Sequence, residues 1–354
     1  MLEKLNFWER RCFVLAFSFA FALPLLWPDV PPLADLPGHM GRYFLSLNLA
    51  SSPALQRWYS FDWSLIGNLG VDLLILPLGK LLGVELATKL IVMAIPVLTV
   101  LGFLDVARAS HGRLPATAYL ATPLAFSYPF QFGFVNFALG VALAFLAFIL
   151  WRRKPGALVF ALIAPLLWLV HVYGWAVLCV LAFSHEVAKC VAARQSFGAS
   201  IRALIMRCWP LAMPILLMGW AMHQSASDGP LAEDWFNWTA KLVFFVSPLR
   251  DHWMAWDLGG MLLMLSVLLF AARSPQMRVD NGLAIAALIF LVLFILMPRA
   301  AFGSVLADMR LIPIAFACAL LSLRPSGLVT VLCRSPISLC HLGFERQWAD
   351  AAQI

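Results

Sequence analysis

"ELATKLIVMAIPVLTVLGFLDVARASHGR", Glu85 to Arg113, decides the fold. From about residue 86 to about 107 it is almost wholly apolar, close to the roughly 20 residues that an α-helix needs to cross the hydrocarbon core of a bilayer. A basic turn with Arg108 and Arg113 closes it, and such clusters keep the end of a span on the cytoplasmic side. Comparable apolar runs recur along the 354 residues, 62% of which are hydrophobic and only 12% charged. A soluble domain carries about twice that charged share. No segment is long and polar enough for a separate soluble domain. The expected fold is therefore all-α, a polytopic transmembrane helix bundle over residues 1–324, with an atypical tail at 325–354.

Upstream, a first span is expected over about Cys12 to Trp27. Its basic-then-apolar start resembles a signal peptide. Trp27-Pro28-Asp29 stands where a small-residue cleavage site would be, so the segment reads as an uncleaved span. A first outer loop follows over about 28–85. It should carry amphipathic juxtamembrane helices, and "VDLLILPLGKLLG", broken by Pro77 and Lys80, should lie at the surface. Downstream, spans are expected near 116–129 and 135–151. The run 156–184 is too long for one ordinary span and has His171, Tyr173 and Gly174 midway, so it reads as two short crossings that turn near His171. Later spans fall near 208–223, 255–272, 282–298 and 309–323, with a second outer loop over about 224–254. The total is about ten crossings with the N-terminus cytoplasmic, and this map puts most of the 25 Lys and Arg inside. Reading 156–184 as one crossing would move the basic residues from Lys189 to Arg207 outside.

The net charge of +7 does not point to nucleic acid, because the basic residues sit in short clusters between apolar runs, where they orient spans. The seven cysteines include no CxxC pair and read as small buried hydrophobes, with no disulfide framework or zinc site. There is no Walker loop, Rossmann glycine pattern or HExxH.

Several residues can carry chemistry on the outer face. In "PPLADLPGHMGRYF" Asp35 and His39 lie four apart just after the first span. Asp35 reads either as the N-cap of a helix starting near Pro37 or as a general base, a carboxylate partly withdrawn from water that takes a proton from an attacking hydroxyl. His39, one turn on, could orient it, bind a phosphate, or join it on a metal; two ligands fall short of a metal site. In the second outer loop Trp235 stands beside Glu233 and Asp234. Aromatic rings next to carboxylates suit a sugar, while an interfacial aromatic belt gives the same composition. His171 sits deep in an apolar region, where ionisable groups face a cavity or a partner. Arg299 and Arg310, at the outer ends of the last two spans, could hold a lipid-linked phosphate. Asp308 and Arg310 could equally form an ion pair. Asn136, near the outer end of its span, could bond a neighbouring helix.

The order of these features resembles the GT-C class of integral membrane glycosyltransferases: one span, a long outer loop with an early aspartate, an amphipathic helix, then an out-to-in span ending in a basic turn. It is closest to a bacterial branch with a "DLPGH"-like first loop, here Asp35–His39, and a "GFVNFALG"-like later span, here Gly133–Gly140. The resemblance covers most of residues 1–324. Many members of the class carry two adjacent acids in the loop, whereas Ala34 precedes Asp35 here. It implies a protein of the bacterial inner (plasma) membrane that transfers a sugar from a polyprenyl-phosphate donor on the extracytoplasmic face, with Asp35 as base. Its implied partners are membrane lipids and the lipid-linked sugar donor. No cofactor is required; some branches use a divalent metal, which His39 permits. The rival reading is a non-catalytic lipid or solute transporter. That would bring internal repeats and charged span centres, and outside the His171 region the span centres are nearly free of charge.

Overall fold

The computed structural model describes residues 5–153, 156–224, 232–250, 252–301 and 304–326. The tail beyond Ser326 lies outside the described residues. Fifteen α-helices occur among them. They are α1 Arg11–Ala20, α2 Leu36–Asn48, α3 Pro53–Gln56, α4 Gly70–Leu82, α5 Val84–His111, α6 Tyr128–Phe132, α7 Val135–Arg152 and α8 Ala157–Val170. There follow α9 Val172–Ala192, α10 Phe197–Cys208, α11 Met213–Gln224, α12 Trp238–Val246, α13 Met254–Arg273, α14 Asn281–Leu296 and α15 Leu311–Leu321. Strands are confined to two small ribbons: β1 (Ala232–Glu233) pairs antiparallel with β3 (Ala300–Ala301), and β2 (Met277–Val279) with β4 (Leu323–Pro325). The chain is all-α in class. Five helical stretches are long and apolar enough to cross a membrane: α5, α7, α9, α13 and the run Phe197–Trp220.

The expected span at 208–223 thus begins earlier, at Phe197, and is interrupted by a 3₁₀ turn over Trp209–Ala212 that contains Pro210. The expected span at 116–129 is not an α-helix. Ala116–Phe126 forms a 3₁₀ helix, with Pro123 removing a backbone donor from its middle. A rise of about 2.0 Å per residue lets eleven residues reach roughly 22 Å, further than the same residues would reach as an α-helix.

Polar contacts mark two ends of the bundle. At one end Arg113 grips Glu9 with two bonds, of 3.0 and 2.8 Å, and Arg152 at the end of α7 reaches Ala109 in α5. Trp151 there donates to Glu186 near the end of α9 and packs its ring on Phe160 at the start of α8. The Asp280 N–H before α14 donates to the Ser322 carbonyl after α15. At the other end lie the starts of α7, α9 and α15 and the ends of α8 and α14. Thus α5, α7 and α9 run parallel to one another, α8 and α14 run antiparallel to α9 and α15, and α8 and α9 form the hairpin expected to turn at His171. Extended backbone at His171 (φ −166°, ψ 137°) breaks the helix. Its Nδ1 accepts the Tyr173 N–H at 3.1 Å, capping α9 and leaving the ring proton on Nε2.

Helices in lipid associate through close packing, which small residues allow. Gly140 of α7 faces Gly174 of α9, and a Cβ on Gly174 would lie 2.8 Å from the Gly140 backbone. At the Asp35 end of this seam Gly70 packs on Val170, and Leu69 and Val172 exchange backbone bonds with Leu169 and Gly67. The loop before α4 is thereby stitched to the α8–α9 turn.

Candidate functional site

The two stretches "DLPGH" and "GFVNFALG" meet. The N–H groups of Ala34 and Asp35 donate to the carbonyls of Gln131 and Phe132 at 3.2 and 2.8 Å. The chain can approach this closely because Gly133 has no side chain: a Cβ there would stand 2.8 Å from the Asp35 nitrogen. Gly133 also takes φ +102°, a conformation that glycine adopts without strain. Asp35 stands at the N-cap position of α2, but its side chain caps no N–H. The capping alternative therefore does not account for the carboxylate, which is half-buried and has no hydrogen bond among the described residues.

Phe134, next to Gly133, leads to Arg310. The Arg310 guanidinium lies 4.2 Å from the Phe134 ring centre, 5.5 Å from Tyr173 and 5.7 Å from Phe137. Arg310 is 6% exposed, and among the described residues its Nε has no partner and its guanidinium makes one long 3.5 Å contact, to the Val305 carbonyl. Rings around a desolvated cation stabilise it by about 2 kcal/mol or more. The Asp35 charge is close enough to act on Arg310. His171 packs edge-on against Phe137, 5.7 Å between ring centres, and the Tyr173 hydroxyl donates to the Ala307 carbonyl at 2.7 Å. Two residues singled out in the sequence, His171 and Arg310, thus share one aromatic cluster, and the Asp35 charge bears on Arg310.

Asp308 has another partner. It is fully buried and pairs with Lys241 of α12 at 3.1 Å. Lys241 Nζ also donates to the carbonyls of Phe294 and Met297, at the C-terminal end of α14. A cation suits that end of a helix. The pair fastens α12 to the bundle, and no Asp308–Arg310 ion pair forms.

A neighbouring face of α12 walls a cleft of about 660 Å³. Phe132, Val243, Phe244 and Leu306 give it apolar sides, and Arg250, Arg299, Asn237 and Thr239 give it polar ones. Arg250 lies over the Tyr128 ring at 5.1 Å. Arg299 makes a 3.5 Å contact with Asp234, both about two-fifths exposed, so that contact is weak. Trp235 follows Asp234 and is largely exposed at the rim segment. Phe132, which lines the cleft, is also the residue whose carbonyl holds Asp35.

His39 lies one turn along α2 and stacks on Tyr43, with ring centres 6.2 Å apart. Beneath them Asp72 accepts from Arg42 at 2.7 Å and from Asn136 at 3.2 Å. Asn136 also accepts the Val71 N–H and donates to the Asn68 carbonyl, so it does bond a neighbouring helix. Sequence reasoning missed Arg42, Asp72, Lys241 and Arg250. The available signal was a charge inside an apolar helix, as at Asp72 in "VDLLIL". Among the described residues, no three His, Cys, Asp or Glu side chains gather where they could hold a metal ion.

No protein-family model, curated protein or solved structure matches this chain.

Proposed function

We propose that the protein is a membrane glycosyltransferase that uses a polyprenyl-phosphate sugar as donor, with Asp35 as general base. The observation that carries this reading is the state of Asp35. The backbone at Ala34 and Asp35 is clamped by two hydrogen bonds, while the half-buried Asp35 carboxylate is uncommitted among the described residues. A base needs that combination: a fixed position and a free lone pair. In the reaction, Asp35 takes the proton of the acceptor hydroxyl, whose oxygen bonds to the sugar C1. The C1–O bond to phosphate breaks, and the phosphate leaves with the electron pair. Arg299, joined by Arg250, receives that charge in a cleft whose apolar walls suit a lipid chain. Trp235 offers a face to the sugar, while Arg310 and His171 stand behind Asp35.

In this reading the chain crosses the bilayer ten times with its N-terminus in the bacterial cytoplasm. The alternation of helix ends supports it, as does the concentration of Arg108, Arg113, Arg152, Lys189, Arg207 and Arg324 at the end that holds Glu9. The Asp35 end then faces the extracytoplasmic side.

The test is transfer of labelled sugar from a polyprenyl-phosphate donor by purified protein in lipid vesicles. Asp35→Asn should remove it, and Arg250→Gln with Arg299→Gln should weaken donor binding. Lipid movement across the vesicle with no Asp35-dependent transfer would favour a lipid transporter instead.

A further inference from the structure

Asp35, His39, Arg42 and Tyr43 stand at i, i+4, i+7 and i+8 along the first turns of α2, and this spacing puts them on one face of the helix. Asp35 heads the row. His39 follows, half-buried, with its ring stacked on that of Tyr43 at an interplanar angle of 17°. Arg42 comes next, and its guanidinium is drawn onto Asp72 of α4. Asp72 is only 4% exposed and is held a second time by Asn136. The row therefore runs from the uncommitted carboxylate to an anchored ion pair, with an imidazole between them.

Glycosyl transfer to a hydroxyl releases one proton, and a base that keeps it works once. We propose that His39 carries that proton away from Asp35, with the Arg42–Asp72 pair fixing the charge around the imidazole. This rests on the reading of Asp35 as the base. The proton on the Asp35 carboxyl passes to an imidazole nitrogen, directly or through one solvent molecule. Asp35 is again a carboxylate and His39 an imidazolium, which releases the proton to bulk water on its open side. No bond to the substrate changes in this step, and no electrons are exchanged.

The surroundings of His39 suit such a transient carrier. Burial holds the imidazole below its ordinary range, and the Arg42 charge adds to this, so the ring rests neutral and ready to accept. Asp72 from α4 and Asp35 from its own helix pull the other way and ease its protonation. Arg42, Asp72 and Asp35 are the charges that bear on the ring. The Arg42–Asp72 pair fixes one cation and one anion beside the ring, so the Asp35 charge is the part of this balance that changes during turnover.

The experiment follows His39 by NMR in protein labelled at histidine and held in detergent micelles, with His39→Gln identifying the signal. Its protonation midpoint is measured in the wild type, Asp35→Asn and Arg42→Gln, with the charge-conserving Arg42→Lys, expected to leave the midpoint near the wild-type value, in reserve should the neutral variant not fold. The expected result is a midpoint lowered in Asp35→Asn and raised in Arg42→Gln, each by about half a pH unit or more. In the transfer assay His39→Gln should lower kcat about tenfold or more with KM unchanged. An unmoved midpoint in Asp35→Asn, or full turnover by His39→Gln, overturns the relay and leaves Asp35 as base untouched. A wild type that moves no sugar removes the base reading and the relay together; a midpoint shift would then record charge coupling alone.

Discussion

The backbone N–H of Asp35 donates to the carbonyl of Phe132 at 2.8 Å, tying the loop after the first helix to the turn before α7. A residue more than ninety positions downstream thus fixes where the candidate base stands. Gly133 makes the approach possible, so it gives the first prediction. Gly133→Ala places a Cβ against the Asp35 nitrogen at a backbone angle that alanine resists. The cost should be about 1–3 kcal/mol. Thermal unfolding in detergent should record it, and sugar transfer should fall further than the folded fraction explains.

Gly174→Ala should separate α7 from α9, because its Cβ would lie 2.8 Å from backbone atoms of Gly140. The neighbour here is main chain and cannot swing aside. A loss of about 1–3 kcal/mol is expected. Gly198→Ala is the control: nothing lies within 4 Å of its Cβ, and its melting temperature should stay level or rise.

Lys241→Met should be among the most damaging single changes. It leaves the fully buried Asp308 without its ammonium partner, and breaking such a pair costs about 3–5 kcal/mol. Adding Asp308→Leu should recover much of that loss, since replacing both partners removes the buried charge. A double-mutant cycle on thermal stability reads the recovery directly.

Glu9 gives a pH dependence. Burial raises the proton affinity of its carboxyl, but the Arg113 bonds and the Asn6 N–H outweigh this and hold it below the ordinary value of 4.5. A carboxylate lowered on folding stabilises the protein above that ordinary value, and the stabilisation is lost as pH falls through the folded value. The melting temperature should therefore drop below about pH 4.5. Glu9→Gln should lower it at neutral pH by the equivalent of about 1–3 kcal/mol and flatten the acid limb.

The helical class and the turn at His171 were legible in the sequence because apolar length and basic flanks are local properties. Asp35 was legible as an acid beside a span. Its clamp was not, since that depends on Gly133 and Phe132 arriving from elsewhere. An ion pair between Asp308 and Arg310, two residues away, was one of the alternatives the sequence left open, but proximity along the chain lost to the end of α14, where two free carbonyls and the carboxylate together draw in Lys241. The 3₁₀ stretch Ala116–Phe126 was hidden because apolar content does not distinguish a 3₁₀ turn from an α turn. Arg250 gave no signal in its own neighbourhood, since the cleft that gives it a role is built from α6, α12 and the segment before α15.

The most direct measurement is transfer of labelled sugar from a polyprenyl-phosphate donor by wild-type and Asp35→Asn protein in vesicles, with circular dichroism confirming that both are folded. Wild-type protein should transfer the sugar, and the variant should lose about 10²-fold or more of that activity. Equal transfer by the folded Asp35→Asn protein would contradict the role of Asp35 as base.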